Sequence, residues 1–349
     1  MSADGGLPQD PQLSERKADH IRLALDQRMQ VAASHFDAYY FEHRALPEID
    51  MAEVDLGTRF LDRELASPLL ISCMTGGTEE AARINRNLAV GSEAARIAIG
   101  VGSQRKALED PATADSFRIR SLAPSVPILA NLGAVQLNYG FGVDECRAAV
   151  EMIEADALVF HLNPLQEAIQ PEGQCDFSGL IEKIGRVVSD LEVPVIVKEI
   201  GSGISAAVAR QLREVGVRHI DCAGVGGTSW ARIEARRARD VELGELFADW
   251  GVPTPVAIRE LRAISGLTII GSGGVRNGID VAKAIALGAD LVGLAQPFLA
   301  AAVESADKVV EKATRVAREL AIAMFCVGAR SVAELQRVPL RARQEVDRS

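Results

Sequence analysis

The most informative stretch of the sequence is Thr268-Ile-Ile-Gly-Ser-Gly-Gly-Val-Arg-Asn-Gly-Ile-Asp280. A short apolar run ends in glycines and a charge, and a segment with helical apolar spacing follows at Val281, Ala284 and Ile285. An apolar run without polar alternation is typical of a strand that is buried on both faces of a parallel sheet. The stretch therefore predicts a β-strand, a glycine-rich turn and a helix.

Similar runs occur along the rest of the chain, at Leu69–Met74, Ala98–Val101, Pro127–Leu132, Ala157–His161, Pro194–Glu199, His219–Cys222 and Leu291–Leu294. Most of their starting positions are separated by about the 30 residues that a βα unit needs. Eight such units in order predict an α/β fold, a (β/α)8 barrel, with a doubly wound open sheet as the alternative. The longest interval contains Thr228–Trp250, rich in Arg and Glu, which predicts an extended loop or a mobile lid.

Helical segments are predicted on both sides of the barrel. Ser14–Ala33 has helical apolar spacing, with Ser14 as the N-cap. After the barrel, Val303–Val327 is predicted as one long amphipathic helix and Ser331–Leu340 as a short one. Met1–Glu15 has no apolar core of a signal peptide, and we expect it to be a flexible tail.

Composition excludes several classes of protein. Apolar residues make up 48% and charged residues 25% of the 349 residues, as in a globular domain, which excludes disordered and collagen-like chains. The formal charge of −10 disfavours general binding of nucleic acids, which requires neutralisation of phosphates.

The cysteines indicate a reducing environment. The five cysteines are odd in number and form no C-x-x-C pair, so we expect free thiols and no structural zinc site. The sequence contains no uncharged apolar stretch long enough for a membrane span. We therefore expect a cytoplasmic protein.

Polar residues follow most of the apolar runs, where the active site of a barrel lies. In order, these ends are Met74-Thr-Gly-Gly77, Gly102-Ser-Gln-Arg105, Asn131-Leu-Gly133, His161-Leu-Asn-Pro-Leu-Gln-Glu167, Lys198-Glu199, Gly224-Val-Gly-Gly-Thr-Ser-Trp230, Gly271-Ser-Gly-Gly-Val-Arg276 and Ala295-Gln296. This asymmetry between apolar strands and polar ends indicates a ligand site.

The glycine-rich end of the seventh run has the clearest chemistry. Its glycines allow backbone N–H groups to approach an anion, and Asn277 is a potential N-cap of the following helix. Arg276 adds a positive charge. The motif therefore predicts a phosphate site; a tight βα turn without a ligand is the alternative.

Other single residues allow two interpretations each. Lys198 is a potential partner of an anionic ring or phosphate, or else a lysine that reaches solvent or pairs with Glu199. His161 and Glu167 are potential acid/base or metal-binding groups, or a structural histidine and a solvated carboxylate. Arg16-Lys17-x-x-His20 either binds a diphosphate or forms a solvated face of a helix.

Taken together, these motifs resemble the type 2 isopentenyl-diphosphate isomerases, which are FMN-dependent (β/α)8 enzymes. The resemblance runs from about Arg16 to Leu340 and also includes Pro68-Leu-Leu-Ile-Ser-Cys-Met-Thr-Gly-Gly77. The combination of motifs is specific, whereas the glycine-rich motif alone is shared with other FMN barrels. We find no departure from the family pattern at these positions. A single FMN-binding barrel domain over residues 16–349 follows from it.

The resemblance implies a role for each site residue. Residues that would surround the flavin are Met74, Thr75, Gly76, Ser103, Asn131, Lys198 and Thr228. Its phosphate would be bound by Gly274, Val275, Arg276, Ala295 and Gln296. The substrate diphosphate would be bound by Arg16, Lys17, His20, Ser103, Gln104, Arg105 and Asn163. Gln166, His161 and Lys198 would take part in catalysis, with Gln166 against the allylic carbons of the substrate, and Glu167 would bind Mg²⁺.

The implied reaction interconverts isopentenyl diphosphate and dimethylallyl diphosphate in isoprenoid biosynthesis. It needs reduced FMN, for which NADPH would be the reductant, and a homo-oligomer, a tetramer or larger, is expected. Reduced flavin would act as the acid/base group, and Lys198 would favour its anion. An FMN-dependent 2-hydroxy-acid oxidase is the main alternative, but Cys222-Ala-Gly-Val-Gly-Gly-Thr228 lacks the histidine base expected there. A non-catalytic flavin-binding barrel and a barrel that binds only phosphate are the others.

Overall fold

The structure, a computed structural model, describes residues 13–31 and 34–343, with side chains from residue 19 onward. Its α-helices are α1 (Leu13–Leu25), α2 (Glu79–Ala95), α3 (Arg105–Glu109), α4 (Val143–Ile153), α5 (Pro164–Ile169), α6 (Leu180–Asp190), α7 (Ala206–Glu214), α8 (Trp230–Ala238), α9 (Val241–Leu246), α10 (Thr254–Arg262), α11 (Gly278–Leu287), α12 (Gln296–Glu304), α13 (Ala306–Cys326) and α14 (Val332–Leu335). Short 3-10 helices occupy Gln27–Met29, Phe36–Ala38, Met51–Glu53, Pro111–Ser116, Arg120–Leu122 and Ala134–Asn138. The strands are β1 (Tyr39–Phe41), β2 (Thr58–Phe60), β3 (Arg63–Leu65), β4 (Leu69–Ile71), β5 (Ala98–Gly100), β6 (Ile128–Gly133), β7 (Ala157–Leu162), β8 (Val195–Glu199), β9 (His219–Asp221), β10 (Thr268–Ser272), β11 (Leu291–Leu294) and β12 (Leu340–Ala342).

Strands β4 to β11 form a closed barrel in which each strand is parallel to the next. The last strand closes onto the first, with Val292 opposite Leu69 and Leu294 opposite Ile71. Each of the eight predicted apolar runs overlaps one of these strands, and β6 and β7 each extend one residue beyond their runs. The predicted (β/α)8 barrel is therefore confirmed, and the open sheet is excluded.

Apolar side chains fill the barrel on both sides of its wall. Leu129, Ile196 and Ile270 pack inside the barrel together with Phe60 and Leu65 from the antiparallel hairpin β2–β3. A larger apolar layer lies between the strands and the surrounding helices. Because the interior is packed in this way, a ligand site belongs at the carboxyl ends of the strands.

The segment Thr228–Trp250 is mostly helical, so the prediction of an extended loop is wrong. Helices α8 and α9 occupy it and pack against each other, and α8 also packs against α5. Ser229 caps α8 by accepting a hydrogen bond from the backbone N–H of Arg232, and Asp240 caps α9 in the same way. These caps accept hydrogen bonds from backbone N–H groups in the first turn of each helix. The charged composition of the segment resembles that of a loop and gives no sign of the two helices.

The terminal helices differ from the predictions in their boundaries. Helix α1 ends at Leu25 rather than near Ala33, because the chain then pairs with the Thr228 loop: Gln30 Nε2 donates to Thr228 Oγ1 at 2.9 Å. Since α1 already includes Leu13, Ser14 lies inside it rather than at its N-cap. Of the predicted tail, Met1–Glu15, residues 1–12 lie outside the described residues, and residues 13–15 belong to α1.

The predicted helix Val303–Val327 is interrupted at Ser305. This residue is extended and its side chain accepts from the backbone N–H of Lys308, so α12 ends before it and α13 begins after it. The prediction of a helix over Ser331–Leu340 is only partly correct, because α14 ends at Leu335 and Leu340 begins β12. Across the described residues, no helix is both long and apolar enough to cross a membrane.

Candidate active site

The carboxyl ends of the barrel strands open into a cavity of about 820 Å³. Most of the predicted site residues line it: His20, Met74, Thr75, Gly76, Ser103, Arg105, Asn131, His161, Asn163, Gln166, Glu167, Lys198, Thr228, Gly274, Val275, Arg276, Ala295 and Gln296. The structure thus brings together residues that are distant in sequence. The role of each remains a prediction.

The other predicted diphosphate-binding residues are Arg16, Lys17 and Gln104. Arg16 and Lys17 lie in α1, but their side chains are outside the part of the chain whose side chains are described. Gln104 is fully buried: its Nε2 donates to the Ala149 carbonyl at 2.8 Å, and its Oε1 accepts from the Asn131 backbone N–H at 3.0 Å. Since both ends of its amide are used within the protein, the prediction that Gln104 binds a diphosphate is not supported.

The loop after β10 presents free backbone donors to the cavity. Gly273 and Gly274 have φ values of 98° and 73°, in the left-handed region that favours glycine. The Asn277 side chain accepts from the backbone N–H groups of residues 279 and 280, which confirms it as the N-cap of α11. Within the described residues, the N–H groups of Gly274 and Val275 donate to no protein acceptor. They are therefore available to an anion.

Lys198 is buried at the end of β8, where only 8% of the residue is exposed. Its Nζ donates to the Glu199 carbonyl at 2.6 Å and lies 3.9 Å from Asp221 Oδ2. The Glu199 carboxylate instead accepts from the backbone N–H groups of Ile200, Gly201 and Ser202. The alternative of a lysine that reaches solvent is therefore wrong, and Lys198 pairs with Glu199 through the backbone carbonyl rather than through the carboxylate.

The ring of His161 is held by a residue of the neighbouring strand. His161 Nδ1 lies 2.8 Å from Asn131 Oδ1, and the two strands pair in register there. Because an amide oxygen only accepts, Nδ1 carries the proton in this contact. The other ring nitrogen, Nε2, is 3.1 Å from where a Cβ on Gly133 would stand.

Helix α5 follows β7 directly and carries Gln166 and Glu167 to the cavity. Asn163 Nδ2 donates to Gln166 Oε1 at 2.9 Å and to Glu167 Oε1 at 2.8 Å. Glu167 Oε2 accepts from Gln170 Nε2 at 2.5 Å and from the Gln174 N–H at 2.7 Å. Both side chains are therefore fixed, and the alternative of a solvated Glu167 carboxylate is wrong.

Glu234 of α8 is a site residue that the sequence analysis missed. It is fully buried, and its Oε1 accepts from Gln166 Nε2 at 2.6 Å and lies 2.8 Å from His20 Nε2. Its Oε2 accepts from Arg237 Nη1 at 2.6 Å. Burial raises the pKa of Glu234, but the contacts with His20, Gln166 and Arg237 outweigh it and lower the pKa to about 2.

The signal for Glu234 in the sequence is weak. Trp230 and Glu234 are four residues apart and therefore share a face of α8. The rings of Trp230 and His20 meet edge to face at 5.1 Å, so this face covers the cavity. In the sequence, however, the surrounding arginines make the segment similar to a solvated helix.

Comparison with known proteins agrees with this geometry. Residues 165–342 match the family of FMN-dependent dehydrogenases. The chain is 50% identical over 331 residues to an isopentenyl-diphosphate delta-isomerase from Nostoc sp., covering 93% of this chain and 95% of the relative. It is 52% identical over 338 residues to that of Paracoccus zeaxanthinifaciens, covering 94% and 96%.

Solved structures with a similar fold are more distant in sequence. A flavocytochrome b2 double mutant with pyruvate bound has a TM-score of 0.69 and 17% identity, covering 96% of this chain and 84% of that one. A mandelate oxidase variant has a TM-score of 0.65 and 19% identity, covering 95% and 99%. These two matches show the barrel fold alone. The sequence relatives show more: the chain belongs to the type 2, FMN-dependent family of isopentenyl-diphosphate delta-isomerases.

Proposed function

We propose that the cavity binds FMN and a five-carbon diphosphate together, and that the chain interconverts isopentenyl diphosphate and dimethylallyl diphosphate. The observation that carries this proposal is the position of Gln166. Its amide is fixed between Asn163 and Glu234 and lines the same cavity as the free N–H groups of Gly274 and Val275. One cavity thus offers an anion-binding loop for a phosphate group and an oriented, uncharged amide, and FMN and the diphosphate substrate would bind there together.

The donors of the cavity fit FMN. The N–H groups of Gly274 and Val275, with Arg276 beside them, would bind its phosphate together with Ala295 and Gln296. Ser72 Oγ is buried, lines the cavity and has no partner among the described residues, so it is available to the bound ring or ribityl chain. Met74, Thr75, Gly76, Ser103, Asn131, Lys198 and Thr228 would surround the ring. When bound and reduced, by NADPH in this proposal, FMN supplies the group that exchanges protons with the substrate.

The diphosphate would be bound on the side of α1 and α3. His20, Ser103, Arg105 and Asn163 line the cavity, and Arg16 and Lys17 of α1 are proposed to join them. Arg105 is oriented by Glu109, whose Oε1 accepts from its Nε at 2.6 Å. The Glu109 carboxylate thereby neutralises part of the Arg105 charge.

Glu167 is the proposed ligand of Mg²⁺. Within the described residues, no group of three or more His, Cys, Asp or Glu side chains is arranged to hold a metal ion. Mg²⁺ is commonly held by one or two carboxylates together with phosphate oxygens and water. Glu167 would therefore bind Mg²⁺ only together with the substrate diphosphate.

The residues around the allylic carbons have separate tasks. Gln166 has no titratable proton near neutral pH, so it orients the substrate or relays a proton but is not a simple acid. His161 would line the substrate pocket with its ring fixed by Asn131. Buried Lys198 would place positive charge near the flavin. Trp230 and α8 would exclude water from the reacting carbons.

Replacement of Gln166 by alanine tests the proposal directly. Without the amide, the substrate loses an orienting contact, and we expect kcat to fall by about 100-fold or more while FMN stays bound. The assay is anaerobic, with FMN, NADPH, Mg²⁺ and isopentenyl diphosphate, and product is followed with time. The unaltered chain without FMN is the control and should give no product.

Two outcomes would contradict the proposal. If the unaltered chain binds FMN but forms no product, the substrate assignment is wrong. If lactate or mandelate reduces the bound flavin, the 2-hydroxy-acid oxidase alternative is restored. The homo-oligomer remains part of the proposal, and light scattering of the purified chain would measure its size.

Gln104 provides a separate test, because the structure gives it a structural role. Replacing it with alanine leaves the Ala149 carbonyl and the Asn131 N–H without partners in a fully buried site. We expect the free energy of unfolding to fall by about 1–3 kcal/mol, with little change in KM for isopentenyl diphosphate. Urea denaturation and steady-state kinetics measure the two effects. A large rise in KM at unchanged stability would restore Gln104 as a diphosphate ligand.

A further inference from the structure

A buried carboxylate lies beside Lys198 on the neighbouring strand of the barrel. Asp221 is the last residue of β9, and the pairing of β8 with β9 places it opposite Lys198. Only 2% of Asp221 is exposed, and its Oδ2 lies 3.9 Å from Lys198 Nζ. Lys198 lines the cavity, whereas Asp221 does not. Asp221 can therefore influence a cavity ligand only indirectly.

The surroundings of Asp221 hold it in one position. Its Oδ1 accepts from Ser272 Oγ at 2.5 Å and from the Ala223 backbone N–H at 3.3 Å. Ser272 lies on β10, the strand on the other side of β9. Three adjacent strands thus contribute one cation, one carboxylate and one hydroxyl to the same layer of the barrel.

Lys198 is important for the charge of this carboxylate. Burial raises the pKa of Asp221 above its usual value, and the nearby Lys198 ammonium, the Ser272 hydroxyl and the Ala223 N–H offset this rise only in part. A buried carboxylate without a cation tends to take up a proton. The Lys198 ammonium, 3.9 Å away, therefore favours the ionised form of Asp221, and this support is lost if Lys198 is removed.

We propose that Asp221 is a positioning residue that acts through Lys198 and limits how strongly the lysine charge stabilises the reduced, anionic form of FMN. This inference rests on the proposed function, in which FMN occupies the cavity with Lys198 beside it. Opposite charges 3.9 Å apart interact strongly in a buried site, because the effective dielectric constant is low. The carboxylate and the flavin thus share one ammonium group.

The sign of the effect follows from this sharing. Replacing Asp221 with asparagine keeps the size of the side chain and removes the negative charge. Lys198 keeps its hydrogen bond to the Glu199 carbonyl and its electrostatic interaction with the Glu199 carboxyl group, but it no longer faces the charge of Asp221. We expect reduced FMN to bind about tenfold more tightly relative to oxidised FMN, which raises the two-electron reduction potential of the bound flavin by about 30 mV.

The experiment measures the reduction potential of bound FMN against a reference dye under anaerobic conditions. The same pair of measurements in a Lys198→Met background is the control. In that background, Asp221→Asn should cause no further shift, because the lysine charge through which Asp221 acts is absent. If Asp221→Asn does not fold, Asp221→Ser removes the same charge with a smaller side chain.

An unchanged or lower potential in Asp221→Asn would overturn the inference, as would an equal shift in the Lys198→Met background. Failure of the proposed function would look different. In that case the unaltered chain would not bind FMN, or would bind it without isomerising isopentenyl diphosphate.

Discussion

Replacing Glu234 with glutamine should lower kcat by about 100-fold, because Gln166 loses the charged acceptor that fixes its amide. Glu234 Oε1 accepts from Gln166 Nε2 at 2.6 Å, and Glu234 is fully buried. The same change leaves Arg237 with a weaker partner in a buried position. Since breaking a buried ion pair is costly, we also expect the free energy of unfolding to fall by about 3 kcal/mol.

The low pKa of Glu234 adds a pH dependence. Its folded pKa of about 2 lies below the ordinary value of 4.5, so the carboxylate stabilises the fold fully above pH 4.5. This contribution is lost as the pH falls from 4.5 towards 2. Urea denaturation at several pH values in this range should show a steeper loss of stability for the unaltered chain than for Glu234→Gln.

Glu172→Gln is the matched control for this prediction. Glu172 Oε1 accepts from Arg237 Nη2 at 2.9 Å, so it belongs to the same cluster, but the cluster keeps Glu234 and Gln166 in contact. We expect kcat to change less than threefold in this variant. If both variants lose the same activity, Glu234 has no specific influence on Gln166.

Replacing Gly274 with alanine should abolish FMN binding. Gly274 has a φ of 73°, and a Cβ there would stand 2.5 Å from the Gly226 carbonyl oxygen, which is too close. The loop after β9 and the loop after β10 would have to separate, and the free N–H groups of residues 274 and 275 would move with them. We expect a colourless protein whose affinity for FMN is lower by at least about 100-fold, or about 3 kcal/mol.

Gly179→Ala separates backbone strain from this clash. Gly179 also has a left-handed φ, 64°, but a Cβ there meets nothing within 4 Å, and the residue does not line the cavity. Absorbance of bound FMN and thermal denaturation should be measured for both variants. A yellow Gly274→Ala protein with normal affinity would show that this loop does not bind the flavin phosphate.

The barrel was predictable because its signal is local. Each strand is a short apolar run buried on both faces, and each polar end follows its strand directly in the sequence. Asn277 could be recognised as a cap for the same reason, since its hydrogen bonds reach only residues 279 and 280. Most of the cavity residues lie at or just after these strand ends, whereas their roles are implied only by the resemblance to the family.

The remaining features depend on contacts between distant segments. Gln104 follows a strand like its neighbours, yet its side chain turns inward to bind Ala149 and Asn131. Glu234 lies in a charged segment, and only the packing of α8 on α5 and α1 buries it beside Gln166 and His20. Periodicity does not reveal such partners, because they are set by tertiary packing.

The closure of β11 onto β4 also has a consequence for biosynthesis. The N–H of Val292 donates to the Pro68 carbonyl, and that of Ser72 donates to the Leu294 carbonyl. A nascent chain cannot make these bonds until residue 294 has left the ribosome, so β4 keeps an unpaired edge during most of translation. The growing sheet therefore has two unpaired edge strands until the barrel closes. During this period, self-association between partly made chains competes with folding.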